Sequence, residues 1–168
     1  MGCETRINGL AIVPGSFDPI TNGHIDLVKR ALEKYDEVVL AIMINPTKKY
    51  MFTMEQRKDI AEAALSSLER VRVVTSDGML WQLAEELNAV AIVKGYRNDV
   101  DLAYEKEMAN FNLAHNPNAP TLLLKADDNL FDLSSTRVRE RILSGQSLDG
   151  LLPREAISQI NRIVPKSI

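Results

Sequence analysis

Short apolar runs alternate along the chain with longer stretches that mix apolar and polar residues. The runs are too short for helices and mostly lack polar alternation, which is typical of strands covered on both faces of a parallel sheet. The predicted strands are residues 10–13, 38–44, 71–74, 90–93 and 121–124. The pattern therefore predicts a buried sheet rather than a sheet with one face in water.

The stretches between the strands carry apolar residues at the spacing of one helix face. The predicted helices are residues 23–34, 54–68, 80–87, 99–115, 135–144 and 154–163. Thr53 and Gln56 have the spacing of a capping box at the second helix, and Pro153 precedes the last. These signals set several of the helix boundaries.

Strand–helix alternation of this kind predicts an α/β fold with a doubly wound parallel five-stranded sheet and right-handed crossovers. The 168 residues contain no internal repeat and no convincing linker. We therefore expect a single domain over residues 1–168, with residues 1–8 forming a loose N-terminal tail.

Ligands of such sheets bind at the carboxyl ends of the strands. The segments that follow four of the predicted strands are residues 14–24, 45–49, 94–97 and 126–136. They are distant in sequence, yet all four contain residues suited to binding anions. The pattern predicts that they meet at one edge of the sheet.

Residues 14–24 read PGSFDPITNGH and join the first strand to the first helix. Free backbone N–H groups and the positive end of the helix dipole meet at a helix start, which favours a bound phosphate. Gly23 leaves space for close approach, and His24 can donate a hydrogen bond to the same anion. Asp18 would repel a triphosphate, so we expect it to shape the turn. The segment predicts a nucleotide site.

Composition narrows the class of protein. The chain is 45% hydrophobic and 26% charged, with a formal net charge of −3, which argues against a nucleic-acid partner. The single cysteine, Cys3, excludes an internal disulfide and suits a reducing compartment. No run approaches the length of a membrane span and no secretory pattern is present, so we expect no membrane partner and a cytoplasmic location.

Three further segments carry candidate anion ligands. Lys48 and Lys49 are either a solvated basic turn or groups that steer an anionic substrate, and the pattern does not choose between the two lysines. Lys94 and Arg97 flank a glycine that permits close approach. The residues Ser134, Ser135 and Thr136 open a helix, where hydroxyls both cap and bind phosphate, while Arg137 and Arg139 fit either phosphate contact or a solvated helix face.

The TNGH turn resembles that of the nucleotidyltransferase superfamily, which shares its Rossmann-like fold with class I aminoacyl-tRNA synthetases. The longer string PGSFDPITNGHID resembles the bacterial phosphopantetheine adenylyltransferase family. The resemblance continues through NPTKKYMFT (45–53), KGYR (94–97), AYE (103–105) and LSST (133–136), in order and over nearly the whole chain. It implies transfer of AMP from ATP to 4′-phosphopantetheine, giving dephospho-coenzyme A and pyrophosphate.

The resemblance also implies roles for individual residues. The catalytic residues would be His24, Lys48 and Arg97. The ATP-binding residues would be Ser16, Phe17, His24, Gly95, Tyr96, Arg97, Glu105, Leu130, Phe131, Asp132, Leu133, Ser134, Ser135 and Thr136. The acceptor-binding residues would be Ser16, Lys48, Leu80, Lys94, Met108 and Asn112. Mg²⁺ would accompany ATP, no protein ligand for a metal is assigned, and a hexamer and feedback by coenzyme A are implied.

Two features depart from the family pattern. Lys94 stands where arginine is usual and keeps the charge without the planar fork that grips phosphate. Leu130 stands where an aromatic residue is common, and the neighbouring Asp127 and Asp128 fit a solvated loop better than a magnesium site. The apolar members of the acceptor set, Leu80 and Met108, fit a core position equally well.

Other functions remain compatible with these motifs. The acceptor could be nicotinate mononucleotide or, with CTP, glycerol phosphate or phosphocholine. A protein that senses ATP without turnover would not need His24, Lys48 and Arg97 together. A dehydrogenase would need a GxGxxG turn after the first strand, and PGSF at residues 14–17 does not supply one.

Overall fold

The computed structural model describes residues 5–127, 130 and 133–164. The strands are β1 (Ile7–Gly15), β2 (Tyr35–Met43), β3 (Val71–Ser76), β4 (Ala91–Tyr96) and β5 (Thr121–Lys125). The helices are α1 (Asn22–Lys34), α2 (Met54–Ala64), α3 (Leu80–Glu86), α4 (Asp99–His115), α5 (Ser135–Ser144) and α6 (Arg154–Ile163). Every strand and helix predicted from the apolar pattern is present.

The five strands form one parallel sheet in the order β3-β2-β1-β4-β5. The strand order reverses between β1 and β4, so crossovers leave the sheet in both directions from this point, where α/β folds bind ligands. The predicted doubly wound, Rossmann-like α/β fold with a parallel five-stranded sheet is confirmed.

Both faces of the sheet are buried, as the uninterrupted apolar runs predicted. Along β1, Ala11 and Val13 face one core, which is completed by α1, α2, α5 and α6, while Leu10 and Ile12 face a second, smaller core against α3. Alternate residues of β2 divide in the same way. This two-sided packing fixes the strands and leaves their carboxyl ends to carry polar loops.

Three boundaries differ from the sequence prediction. The first strand begins at Ile7, which pairs with Tyr35, so residues 7 and 8 do not belong to a loose tail as predicted. The second helix ends at Ala64 rather than residue 68, where the Ser66 hydroxyl donates to the Ala63 carbonyl and competes with helical hydrogen bonds. The fourth strand continues to Tyr96 because it pairs with β5 up to Lys125.

Among the described helices, none combines the length and the apolar character that crossing a membrane requires.

Candidate active site

A cavity of about 350 Å³ opens at the carboxyl edge of the sheet, between the β1–α1 turn, the end of β4 and the start of α5. The predicted ATP-binding residues that line it are Phe17, His24, Gly95, Tyr96, Arg97, Leu130, Leu133, Ser134 and Ser135. Lys94, predicted to bind the acceptor, also lines it. Three of the four segments expected to meet therefore line one cavity and bring most of the nucleotide set together, while no residue of the segment 45–49 is in the described lining.

His24 is held at the start of α1 with one ring nitrogen committed. The Thr21 N–H donates to His24 Nδ1 at 3.0 Å, which assigns the ring proton to Nε2. Burial lowers the pKa of the imidazole from 6.5 to about 4, so the ring is neutral at physiological pH. The geometry leaves His24 as a neutral Nε2–H donor on the cavity wall.

Phe17 fixes the other side of the His24 ring. Its own ring is buried and meets the imidazole edge-to-face, with centroids 4.9 Å apart and planes at 86°. Phe17 has a φ of 47°, an unusual backbone conformation for a residue with a side chain. A Cβ on Gly15 would lie 2.9 Å from the Phe17 ring, so only glycine fits there. The side chain of Phe17, predicted as an ATP contact, supports the histidine.

The three hydroxyl residues predicted at the start of α5 have different surroundings in the structure. Ser134 caps the helix by accepting from the Arg137 N–H at 3.1 Å, as predicted. The Ser135 hydroxyl donates to the Pro19 carbonyl at 2.8 Å and so ties α5 to the β1–α1 turn. Thr136 is exposed and outside the cavity lining. Through Ser134 and Ser135, the start of this helix lines the same cavity as His24.

The cations at the end of β4 have acidic partners. Lys94 Nζ lies 2.6 Å from the Glu105 carboxylate, with both side chains largely shielded from solvent. Arg97 Nε lies 3.4 Å from Asp101, and the Arg97 side chain is half exposed. The residues Lys94 and Glu105, predicted to contact different substrates, therefore contact each other here.

The Lys48 segment is anchored to the nucleotide turn by Asp18. The buried Asp18 carboxylate accepts from the N–H groups of Met51 and Phe52 at 2.9 and 3.0 Å. Lys48 itself is exposed and lies outside the cavity lining. Asp18 thus shapes the turn, as its charge predicted, and also connects it to the segment that carries Lys48.

Two arginines complete this anchoring, and the sequence analysis did not identify either role. Arg57, buried in the first turn of α2, donates to the Ser16 carbonyl at 2.8 Å. Arg139 donates to the Asp18 carbonyl at 2.8 Å and so ties α5 to the same turn, and it is not among the residues that line the cavity. Isolated arginines on helices give no local signal for such distant partners.

The predicted pantetheine cleft is not part of the cavity. Leu80 packs partly against the smaller core, Asn112 is buried within α4, and neither these two residues nor Met108 is among the described residues that line the cavity. Ser16 and Glu105 also lie outside the lining. Phe131 and Asp132 fall outside the described residues. Apart from Lys94, the predicted acceptor-binding residues lie outside the described lining of this cavity, and their role remains a prediction.

The first helix contributes cavity residues that were not predicted. Asp26, Leu27 and Arg30 lie on one face of α1 and line the cavity beyond His24. Arg30 donates to the Lys125 carbonyl at 2.8 Å, which closes the side of the cavity between α1 and β5. Arg30 follows Asp26 by four residues and Leu27 by three, and this helical spacing was the available signal. Among the described residues, no three His, Cys, Asp or Glu side chains group closely enough to hold a metal ion.

Comparison with known proteins gives a consistent result. The family model described as cytidylyltransferase-like matches residues 12–141. Proteins named phosphopantetheine adenylyltransferase from Streptococcus pyogenes serotype M5 (strain Manfredo), serotype M49 (strain NZ131) and serotype M1 are each 40% identical to this chain over 159 residues. The matched region covers 94% of this chain and 98% of each relative.

Proposed function

This chain belongs to the phosphopantetheine adenylyltransferases of the cytidylyltransferase-like family, and we propose that it transfers AMP from ATP to 4′-phosphopantetheine. The products are dephospho-coenzyme A and pyrophosphate. The observation that carries the proposal is the fixed His24 Nε2–H donor, which faces a cavity shared with the α5 helix start and Arg97. These groups suit a triphosphate and not an uncharged ligand.

The reaction is an in-line displacement at the α-phosphorus of ATP. An oxygen of the acceptor phosphate forms the new P–O bond while the bond to pyrophosphate breaks, and the electron pair leaves with pyrophosphate. A phosphate monoester is already anionic at neutral pH, so no strong base is needed. The protein contributes by holding two polyanions together and by stabilising charge in the transition state.

Each group has a proposed part in that task. His24 donates to the α-phosphate as charge builds on its oxygens. Ser16, Lys48 and Lys94 orient the acceptor phosphate. Arg97 and the α5 helix start bind the β- and γ-phosphates. Mg²⁺ would accompany ATP and would neutralise phosphate charge, and no protein ligand is assigned to it, since Mg²⁺ in nucleotide sites is held largely by phosphate oxygens and water.

The test measures pyrophosphate release by the purified protein and by two variants, in each of which one of the two histidines is replaced. The acceptors are 4′-phosphopantetheine, nicotinate mononucleotide and glycerol phosphate, each with MgATP and with MgCTP because the matching family model is cytidylyltransferase-like. We expect release only with ATP and 4′-phosphopantetheine. His24→Ala should lower kcat about 10²–10³-fold, as loss of one transition-state donor does, with a much smaller loss of ATP affinity.

The control is His115→Ala, which removes the only other histidine of the chain, on α4 and outside the described cavity lining. We expect its kcat to stay within about twofold of the unmodified protein, the range of small surface effects. Turnover with a different acceptor or with CTP would refute the substrate assignment. An unchanged kcat in His24→Ala would refute the role of the histidine. ATP binding without turnover would refute the proposed enzymatic activity.

We propose a hexameric assembly, feedback binding of coenzyme A and a cytoplasmic location on the basis of the family resemblance alone. Light scattering measures the assembly. Competition of coenzyme A with ATP and 4′-phosphopantetheine in the pyrophosphate assay measures the feedback.

A further inference from the structure

Tyr50 lies beside the proposed acceptor residues with its hydroxyl held in place. The Asn45 N–H donates to the Tyr50 oxygen at 2.7 Å, which uses that oxygen as an acceptor. The hydroxyl's contact with the Asn45 carbonyl is long, at 3.4 Å, so the hydroxyl hydrogen has no strong partner there. The Ser16 side chain is the other hydrogen-bonding neighbour of this hydroxyl, so a phosphate bound beside both residues would meet two adjacent hydroxyl groups.

The ring of Tyr50 is fixed by Arg57. The guanidinium lies over the ring face with Cζ 3.9 Å from the centroid, and it also donates to the Ser16 carbonyl at 2.8 Å. Arg57 is buried and charged, so these contacts are strong and poorly screened. A single arginine thus sets the position of Tyr50 relative to Ser16.

The electrostatic surroundings agree with this geometry. Burial would raise the pKa of the Tyr50 hydroxyl, but the net effect of its neighbours lowers it. Hydrogen bonds with the Asn45 backbone and the Ser16 side chain contribute to the lowering. The positive charges of Arg57 and Lys48 act in the same direction. The hydroxyl therefore lies beside Ser16 and within the electrostatic influence of Lys48, and its lowered pKa makes it a better donor than an ordinary phenol.

We propose that the Tyr50 hydroxyl is a further ligand of the acceptor phosphate, beside Ser16 and Lys48, and that Arg57 is its positioning residue. The proposal rests on the proposed function, because it assumes that the acceptor carries a phosphate monoester. Tyr50 would donate its hydrogen to a phosphate oxygen, and Arg57 would keep the hydroxyl and the Ser16 turn at a constant separation.

The experiment compares two ligands that differ only in the phosphate. Tyr50→Phe removes one oxygen and leaves the ring under Arg57. Calorimetric titration measures the Kd of 4′-phosphopantetheine and of pantetheine for each protein. We expect Tyr50→Phe to weaken 4′-phosphopantetheine about tenfold, as loss of a hydrogen bond to a charged group does, and to leave pantetheine unchanged. In turnover, KM for the acceptor should rise more than kcat falls.

The matched control is Tyr35→Phe, which removes a tyrosine hydroxyl at the amino end of β2, at the opposite edge of the sheet. Its Kd for both ligands should equal that of the unmodified protein. Arg57→Lys serves as a second variant, since it keeps the charge but loses the planar stack and the fork geometry. Arg57→Lys should also weaken the binding of 4′-phosphopantetheine selectively. Removing the Tyr50 hydroxyl as well, in Arg57→Lys/Tyr50→Phe, should then weaken binding little further.

The outcomes separate the two levels of inference. Equal weakening of both ligands in Tyr50→Phe, or no weakening of either, overturns the role of Tyr50 while the proposed function stands. An unmodified protein that does not distinguish 4′-phosphopantetheine from pantetheine overturns the proposed function and the subsite together.

Discussion

At the residue scale, the environment of His24 selects one form of the imidazole. Protonation would place a hydrogen on Nδ1, where the Thr21 N–H already points, so two donors would face each other. Burial disfavours the charged ring as well. Both effects keep His24 neutral, so in the proposed reaction it would act as an uncharged hydrogen-bond donor to the α-phosphate.

This environment predicts an unusual titration. In a His115→Asn protein, which has a single imidazole, the NMR signals of His24 should titrate with a midpoint of about 4. Between pH 6.5 and about 4 the unfolded chain binds a proton that folded His24 does not. The free energy of unfolding should therefore fall as the pH decreases through this range, by more than in His24→Asn. A midpoint near 6.5 would contradict the assigned environment.

At the scale of elements, the site depends on how the β1–α1 turn is joined to its neighbours. Asp18 binds the segment before α2, Ser135 and Arg139 of α5 donate to the turn, and Arg57 of α2 donates to it from another side. The Asp18 contacts join two loops, and the other contacts join the turn to side chains of α2 and α5. The turn is therefore rigid although it contains no helix or strand of its own.

Replacing the central carboxylate should loosen this junction. Asp18→Asn leaves one oxygen for the two N–H donors of Met51 and Phe52 and directs an NH₂ group at one of them. We expect the free energy of unfolding to fall by about 1–3 kcal/mol, the cost of a buried unsatisfied group. Urea denaturation measures it, with the exposed Asp77→Asn as the control. Equal stabilities of the two variants would show that the carboxylate does not anchor the segment.

The fold was accessible from sequence because the strands are buried on both faces and the helices are amphipathic. The end of β4 was missed since Lys94, Gly95 and Tyr96 look like loop residues, and only pairing with β5 makes them a strand. In the site, the turn that carries His24 could be predicted because its residues are contiguous in the sequence. Arg57 and Arg139 were missed because their partners lie 41 and 121 residues away.

At the scale of the whole molecule, the C-terminal segment supports the active-site end of α1. The Asn22 N–H donates to the Leu151 carbonyl at 2.8 Å, and the Asn22 side chain donates to the Gly150 carbonyl at 3.0 Å. Beyond this turn, α6 packs on α2 through the buried residues Ala156 and Ile160. The start of the helix that carries His24 is thus held by residues from the far end of the chain.

Weakening that packing should lower global stability and the temperature limit of activity together. Ile160→Ala leaves a cavity at a fully buried site and should cost about 2–5 kcal/mol in free energy of unfolding. Val100→Ala, at a side chain that is 80% exposed, should change it by less than about 0.5 kcal/mol. Thermal denaturation and residual activity after heating measure the two effects. Independent changes in stability and activity would show that the C-terminal segment does not support the site.

The contact between Lys94 and Glu105 gives the enzyme an internal competitor. On the proposed role of Lys94, a phosphate would have to displace the Glu105 carboxylate, which lies 2.6 Å from Lys94 Nζ. The carboxylate is part of α4, so its effective concentration at Lys94 does not depend on dilution, and it can return to Lys94 whenever the phosphate leaves. On the proposed role of Lys94, this exchange would weaken substrate capture and speed product release, so Glu105 would favour turnover over tight binding.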